Sequence, residues 1–166
     1  MDVKGKHVYT QPAETVFKSF GNKDVMTKRF TAMGGRNINV ELCKLTKTSL
    51  DMRVTREVPA EVPTLLKKFM NEWNHATQEE HWTGSPSKGY NGAIKITIKG
   101  VPVTITASLF LRNEGSGSVN DMTMSFHSSI PFIGNKLAEF VGKAAEVEMQ
   151  REYEFVRDAL NVAESA

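Results

Sequence analysis

The densest run of side chains able to move protons or hold ions is Glu72-Trp73-Asn74-His75-Ala76-Thr77-Gln78-Glu79-Glu80-His81-Trp82. Read as a strand, it places Trp73, His75, Thr77, Glu79 and His81 on one face and Asn74, Ala76, Gln78, Glu80 and Trp82 on the other. Two histidines and a carboxylate on one face raise the question of a metal. At about 3.3 Å per residue, however, His75 and His81 stand about 20 Å apart and cannot share an ion. His81 with Glu79, about 7 Å apart, would need ligands from elsewhere. A histidine and a carboxylate facing a cavity could instead act as acid and base, with His75, Glu79 or Glu80 in those roles. The plainer reading is a solvated strand face, so no metal site and no catalytic residue is assigned.

Other chemistry-bearing residues stand alone. Cys43 has no neighbouring histidine and reads as a spectator. Gly115-Ser116-Gly117 lacks both a phosphate-binding lysine and a following helix. Lys4, Lys6, Lys95 and Lys99 do not interleave with aromatic residues as a nucleic-acid platform would. His127 alternates away from Met124 and Phe126 and is expected outside, and His7, near the start, is expected exposed. No cofactor is implied.

The 166 residues suit one domain spanning 1–166, with 40 % hydrophobic and 24 % charged residues, the balance of a globular protein. Twenty-one basic residues offset by nineteen acidic ones leave a net charge of +2, which gives no argument for nucleic acid. One cysteine permits no internal disulfide, the first residues show no apolar signal-peptide core, and no window is apolar enough for a membrane helix. A cytoplasmic location is expected.

The elements that must position these residues follow from periodicity. His7 to Thr10 reads as a short strand ended near Pro12. Two short helices follow, one through Val16, Phe17 and Phe20, the other starting at Asn22 or Asp24 and closed by Gly34-Gly35. The period then falls to two: Ile38, Val40 and Leu42 share a face opposite Asn39, Glu41 and Cys43, and Leu50, Met52, Val54 and Val58 form the dry side of the next strand. Pro63 to Met70 reads as a short helix packing through Leu65, Leu66, Phe69 and Met70. Further strands run through Ile94, Ile96 and Ile98, through Val103, Ile105, Ala107, Leu109 and Leu111, and through Met122, Met124, Phe126 and Ser128. About thirty residues after Pro131 carry one broad apolar helical stripe from Leu137 to Leu160.

Strands joined by tight turns are antiparallel, and one dry face throughout makes them a single sheet of about seven strands. Only the C-terminal helix is long enough to cover that face. A twisted sheet must curl around it, and the methionines 52, 122, 124 and 149 suit an irregular gap or a variable ligand.

Pro12-Ala13-Glu14-Thr15-Val16-Phe17, the Pro59–Pro63 break, Trp82, Gly100-Val101-Pro102-Val103 and Ile130-Pro131-Phe132-Ile133-Gly134-Asn135-Lys136 occur in an order that resembles the START-like (SRPBCC, helix-grip) superfamily. That superfamily includes polyketide cyclases, birch-pollen-type allergens and lipid-transfer domains. Among its branches the chain is most similar to an uncharacterised bacterial one. The resemblance implies an α+β helix-grip fold, a curved antiparallel sheet wrapped on a long C-terminal helix with two short helices after strand one. It also implies an apolar cavity, and no catalytic residues. The expected function is non-catalytic binding of an apolar or amphipathic small molecule such as a lipid, acyl chain, quinone or polyketide-like compound. The alternatives are a cyclase, dehydratase or hydrolase acting on such a ligand, and a protein-interaction module with a vestigial cavity. By strand parity, the expected lining is Met52, Val54, Trp73, His75, Ile96, Ile105, Met122, Met124 and Phe126, with Leu137, Val141 and Met149 from the helix. Transient membrane contact during loading, through a lip near Phe132-Ile133, is a further expectation.

Overall fold

A computed structural model describes residues 1–166. The chain runs β1 (Asp2–Tyr9), α1 (Ala13–Phe20), α2 (Lys23–Ala32), β2 (Arg36–Leu45), β3 (Ser49–Pro59), a single 3-10 turn at Thr64–Leu66, β4 (Trp73–Ser85), β5 (Gly89–Ile98), β6 (Thr104–Glu114), β7 (Gly117–His127) and α3 (Gly134–Ser165). All strands pair antiparallel in one seven-stranded sheet ordered β1-β7-β6-β5-β4-β3-β2. This is the α+β helix-grip arrangement. Six strands follow in meander order, and β1 closes the far edge against β7.

Helix boundaries follow from capping chemistry. Asn22 Oδ1 accepts from the Asp24 and Val25 amides at 3.0 and 3.1 Å, which satisfies two orphan donors at the start of α2. Gly34, at φ 83°, takes the left-handed conformation that ends α2 and turns the chain into β2. The 32 residues of α3 give it a length of about 48 Å, enough to span the sheet.

Two packed cores flank the middle of α3. One lies under α1 and holds Phe17, Leu50, Trp82, Tyr90, Leu111, Val156 and Leu160. The other, at the opposite end, holds Leu66, Met70, Val101, Val103, Ile105, Phe126, Leu137 and Val141. A third, small cluster of Met26, Phe30, Met52 and Val54 sits where α2 covers β3.

Four local expectations are corrected. β1 begins at Asp2, and its pairing with β7 buries His7 to 5 % exposure rather than leaving it in solvent. The segment after Pro63 makes only one turn, which buries Leu66 and Met70 and leaves Leu65 exposed. Register shifts in β2, one of them between Val40 and Leu42, break the alternation. As a result Leu42 faces solvent, while Cys43 turns inward and donates through Sγ to the Gly21 carbonyl at 3.2 Å. Finally, β4 buries Asn74, Ala76, Gln78, Glu80 and Trp82, so the face bearing Trp73 and His75 is the outer one.

Candidate functional site

Between the two cores the central strands and the middle of α3 leave a gap, and a cavity of about 200 Å³ lies there. Its floor comes from strand alternation: Ile94, Ile96 and Ile98 of β5, Ile105 of β6, and Met122, Met124 and Phe126 of β7. Phe140, Val141, Ala144, Ala145 and Met149 of α3 form its roof. Ala145, half-buried where the helix crosses the hollow, leaves space that a larger side chain would occupy. A smaller chamber of about 50 Å³ adjoins it, sharing Ile94, Met122, Met149 and Glu152 and bounded by His7, Tyr9, Arg29, Glu80, Trp82, Asn120 and Tyr153.

Of the residues expected from parity, Ile96, Ile105, Met122, Met124, Phe126, Val141 and Met149 border the larger cavity. Leu137 is fully buried in the core beyond its end. Met52 and Val54 pack beneath α2 against Met26 and Phe30, because α2 rather than α3 covers that part of the sheet. Trp73 and His75 do not take part. Trp73 is 36 % exposed with the Arg36 guanidinium 3.7 Å over its ring, and His75 is exposed beside it on the outer face.

That outer face is an ion-pair ladder. Arg53 bridges Glu41 and Glu79 at 2.7 and 2.6 Å, and His81 Nδ1 lies 2.5 Å from Asp51. His75 and Glu79 therefore cannot act as acid or base inside the cavity. No group of three His, Cys, Asp or Glu side chains comes together as a metal cluster.

The polar chemistry inside comes from residues that parity reasoning passes over. Arg56 Nη2 donates to Gln78 Oε1 at 2.9 Å, Gln78 Nε2 donates to Glu80 Oε1 at 2.5 Å, and Trp82 Nε1 donates to Glu80 Oε2 at 3.0 Å. Gln78, Glu80 and Trp82 are alternate residues of β4, so one strand face supplies three of the four members and β3 supplies Arg56. Arg29 of α2 pairs with Glu152 of α3 at 3.3 Å and ties the two helices together over the hollow. Phe30 receives both guanidiniums, that of Arg56 at 4.0 Å and that of Arg29 at 4.8 Å from the ring centre.

Burial pushes the Arg56 guanidinium down to about 10, with the Glu152 carboxylate opposing, so it remains a cation at neutral pH. Burial likewise lowers His7, again opposed by Glu152. It raises the Tyr9 hydroxyl, helped by the same carboxylate. Three buried polar atoms around the hollow lack a hydrogen-bond partner in the protein: Arg56 Nη1, Arg29 Nε and Asn120 Oδ1. A signal for Arg56 is present in the sequence. It occupies a dry-face position between Val54 and Val58, where a charge has a reason to be. Glu148 and Glu152 flank Met149 on the helix stripe in the same way.

A family model described as "Protein of unknown function (DUF2505)" matches residues 4–160. The chain belongs to the DUF2505 family. By sequence, no protein with a curated description matches this DUF2505 chain. By structure, it is similar to a protein from Thermus thermophilus, with 13 % identity, a TM-score of 0.66 and coverage of 98 % of this chain and 99 % of that one. It is also similar to the ZhuI aromatase/cyclase from Streptomyces, with 10 % identity, a TM-score of 0.60 and coverage of 96 % and 92 %. Ara h 8.0201 gives 9 % identity, a TM-score of 0.58 and coverage of 94 % and 97 %. These neighbours share the fold of this DUF2505 chain. At such identities the likeness concerns the fold alone. No helix of this DUF2505 protein is long and apolar enough to cross a membrane.

Proposed function

We propose that the protein binds an apolar or amphipathic small molecule between its sheet and α3, without transforming it. The observation that carries this reading is the cavity of about 200 Å³, walled by isoleucines and methionines between two well-packed cores. A dry cavity near 150 Å³ accepts a benzene-sized guest, so this one suits a molecule on the order of one or two fused rings, or a chain of comparable volume. Quinones, polyketide-like aromatics and medium acyl chains fit that description. The START-like fold supports the reading as one that hosts ligands elsewhere, and the Streptomyces neighbour is an aromatase/cyclase.

Binding is favoured over turnover by how the interior carboxylates are engaged, Glu152 by Arg29 and Glu148 by Arg151. Glu80 accepts a hydrogen bond on each oxygen, from Gln78 and from Trp82, and both donors are fixed by the strand. Glu80 also borders the smaller chamber and not the larger cavity, so a guest held in the larger one does not lie against it. The test is native mass spectrometry of the purified protein, followed by denaturation and identification of what is released. A released apolar compound, or a mass adduct on incubation with tetralin, is the expected result. A protein that carries nothing and takes up no tetralin at millimolar concentration would overturn the reading.

A further inference from the structure

We infer that the ligand is electrically neutral and carries an oxygen acceptor, such as a ketone, quinone or ester carbonyl, held by Arg56 at the polar end of the cavity. The inference rests on the cavity-binding reading above and adds the chemistry of the guest.

The first observation is an unused donor. Arg56 lines the cavity, its Nη2 is spent on Gln78, and its Nη1 is buried with no partner in the protein. A buried guanidinium N–H without an acceptor is costly, so a ligand oxygen that reaches it gains a charge-assisted hydrogen bond.

The second observation concerns charge. The cations and anions around the hollow already match. Arg29 pairs with Glu152 at 3.3 Å, and Glu148, on the cavity wall, pairs with Arg151 at 3.0 Å. Arg56 is linked through the neutral Gln78 amide to Glu80, whose negative charge is held by two hydrogen bonds. A carboxylate or phosphate entering beside Arg56 would therefore be a surplus anion facing Glu148 and Glu152 across the same cavity. A neutral carbonyl takes the same N–H without adding charge. A wholly apolar guest would leave the donor orphaned. The site thus selects between three chemistries of equal shape.

Three bicyclic probes of matched size separate them: tetralin (hydrocarbon), α-tetralone (ketone) and tetralin carboxylate (anion), each titrated calorimetrically into the full-length protein at neutral pH. The expected order is α-tetralone tighter than tetralin by about tenfold, the worth of one hydrogen bond to a charged donor, with the carboxylate weakest. Arg56→Met should abolish the preference for α-tetralone over tetralin, bringing the ratio of the two affinities to about one. The wild-type order is read without any variant, so it decides the matter even if Arg56→Met fails to fold. Tightest binding by the carboxylate, or equal binding of ketone and hydrocarbon, overturns this inference while the cavity reading stands. Binding of none of the three overturns both.

Discussion

His7 is held among aromatic carbon rather than water. Its ring stacks on Tyr153 at 4.5 Å and 8°, Tyr9 meets Tyr153 edge-on, and the Tyr153 hydroxyl donates to the Val8 carbonyl at 2.7 Å. Burial disfavours the imidazolium and lowers the folded-state value from the ordinary 6.5, against the pull of Glu152. The sign follows from linkage: below 6.5 the unfolded chain takes up a proton that the folded chain resists. The stability held at higher pH is therefore lost as pH falls from that value towards the folded one. The carboxylates with depressed values, Glu57 and Glu139, start from 4.5 and act in a lower window. Urea midpoints measured from about pH 8 down to about pH 5 should decline in the wild type. They should stay flat over the upper part of that range in His7→Phe, which keeps the aromatic stack. A decline of equal slope in the variant would remove His7 as its cause.

At the scale of the strand pair, Trp82 and Gly92 are directly opposite in the β4–β5 register, and the indole lies across the glycine. A Cβ built on Gly92 would come within 2.6 Å of the Trp82 ring, which has no room to retreat because it is fully buried against Phe17 and Phe20. Gly92→Ala should cost about 1–3 kcal/mol by overpacking. It should also loosen the indole N–H from Glu80, which would show as a red-shifted tryptophan emission. Unchanged stability and emission would mean that β5 can shift locally. The same strands explain what is legible in the sequence. The order of elements, the long helix and the isoleucine row of β5 all follow from periodicity in residues whose two faces differ sharply. On β4 they do not differ: Asn74, Gln78 and Glu80 are as polar as His75, Glu79 and His81. Parity groups these residues but cannot orient the groups, so Trp73 and His75 are expected in a lining from which the fold excludes them. The register shifts in β2 are equally silent in the sequence, and one of them carries Leu42 out and Cys43 in. Parity does assign Met52 and Val54 to the dry face, but which helix covers that face is a tertiary fact.

Across the whole molecule, packing is concentrated at the two ends of α3. Leu137, Ala138 and Val141 anchor one end and Val156 and Leu160 the other, while Ala144, Ala145, Glu148, Met149 and Glu152 bridge the hollow and are at most partly buried. A globular domain optimised only for stability would fill that span, since each buried methylene is worth about 0.8 kcal/mol. Small residues at the centre of the bridging helix therefore mark retained space, and retained space can be filled by mutation. Ala145→Leu places new carbon inside the cavity and should raise stability by roughly 1–2 kcal/mol while weakening tetralin binding. The identical change at Ala13, fully buried in the packed core beneath α1, meets no space and should cost about 1–3 kcal/mol. Denaturant unfolding of both variants, with tetralin titration of the first, tests the pair. If Ala145→Leu destabilised as much as Ala13→Leu, the middle of the molecule would be as close-packed as its ends, and the cavity would have no volume to offer a ligand. If it stabilised and still bound tetralin with wild-type affinity, the guest would have to lie elsewhere than against the centre of α3.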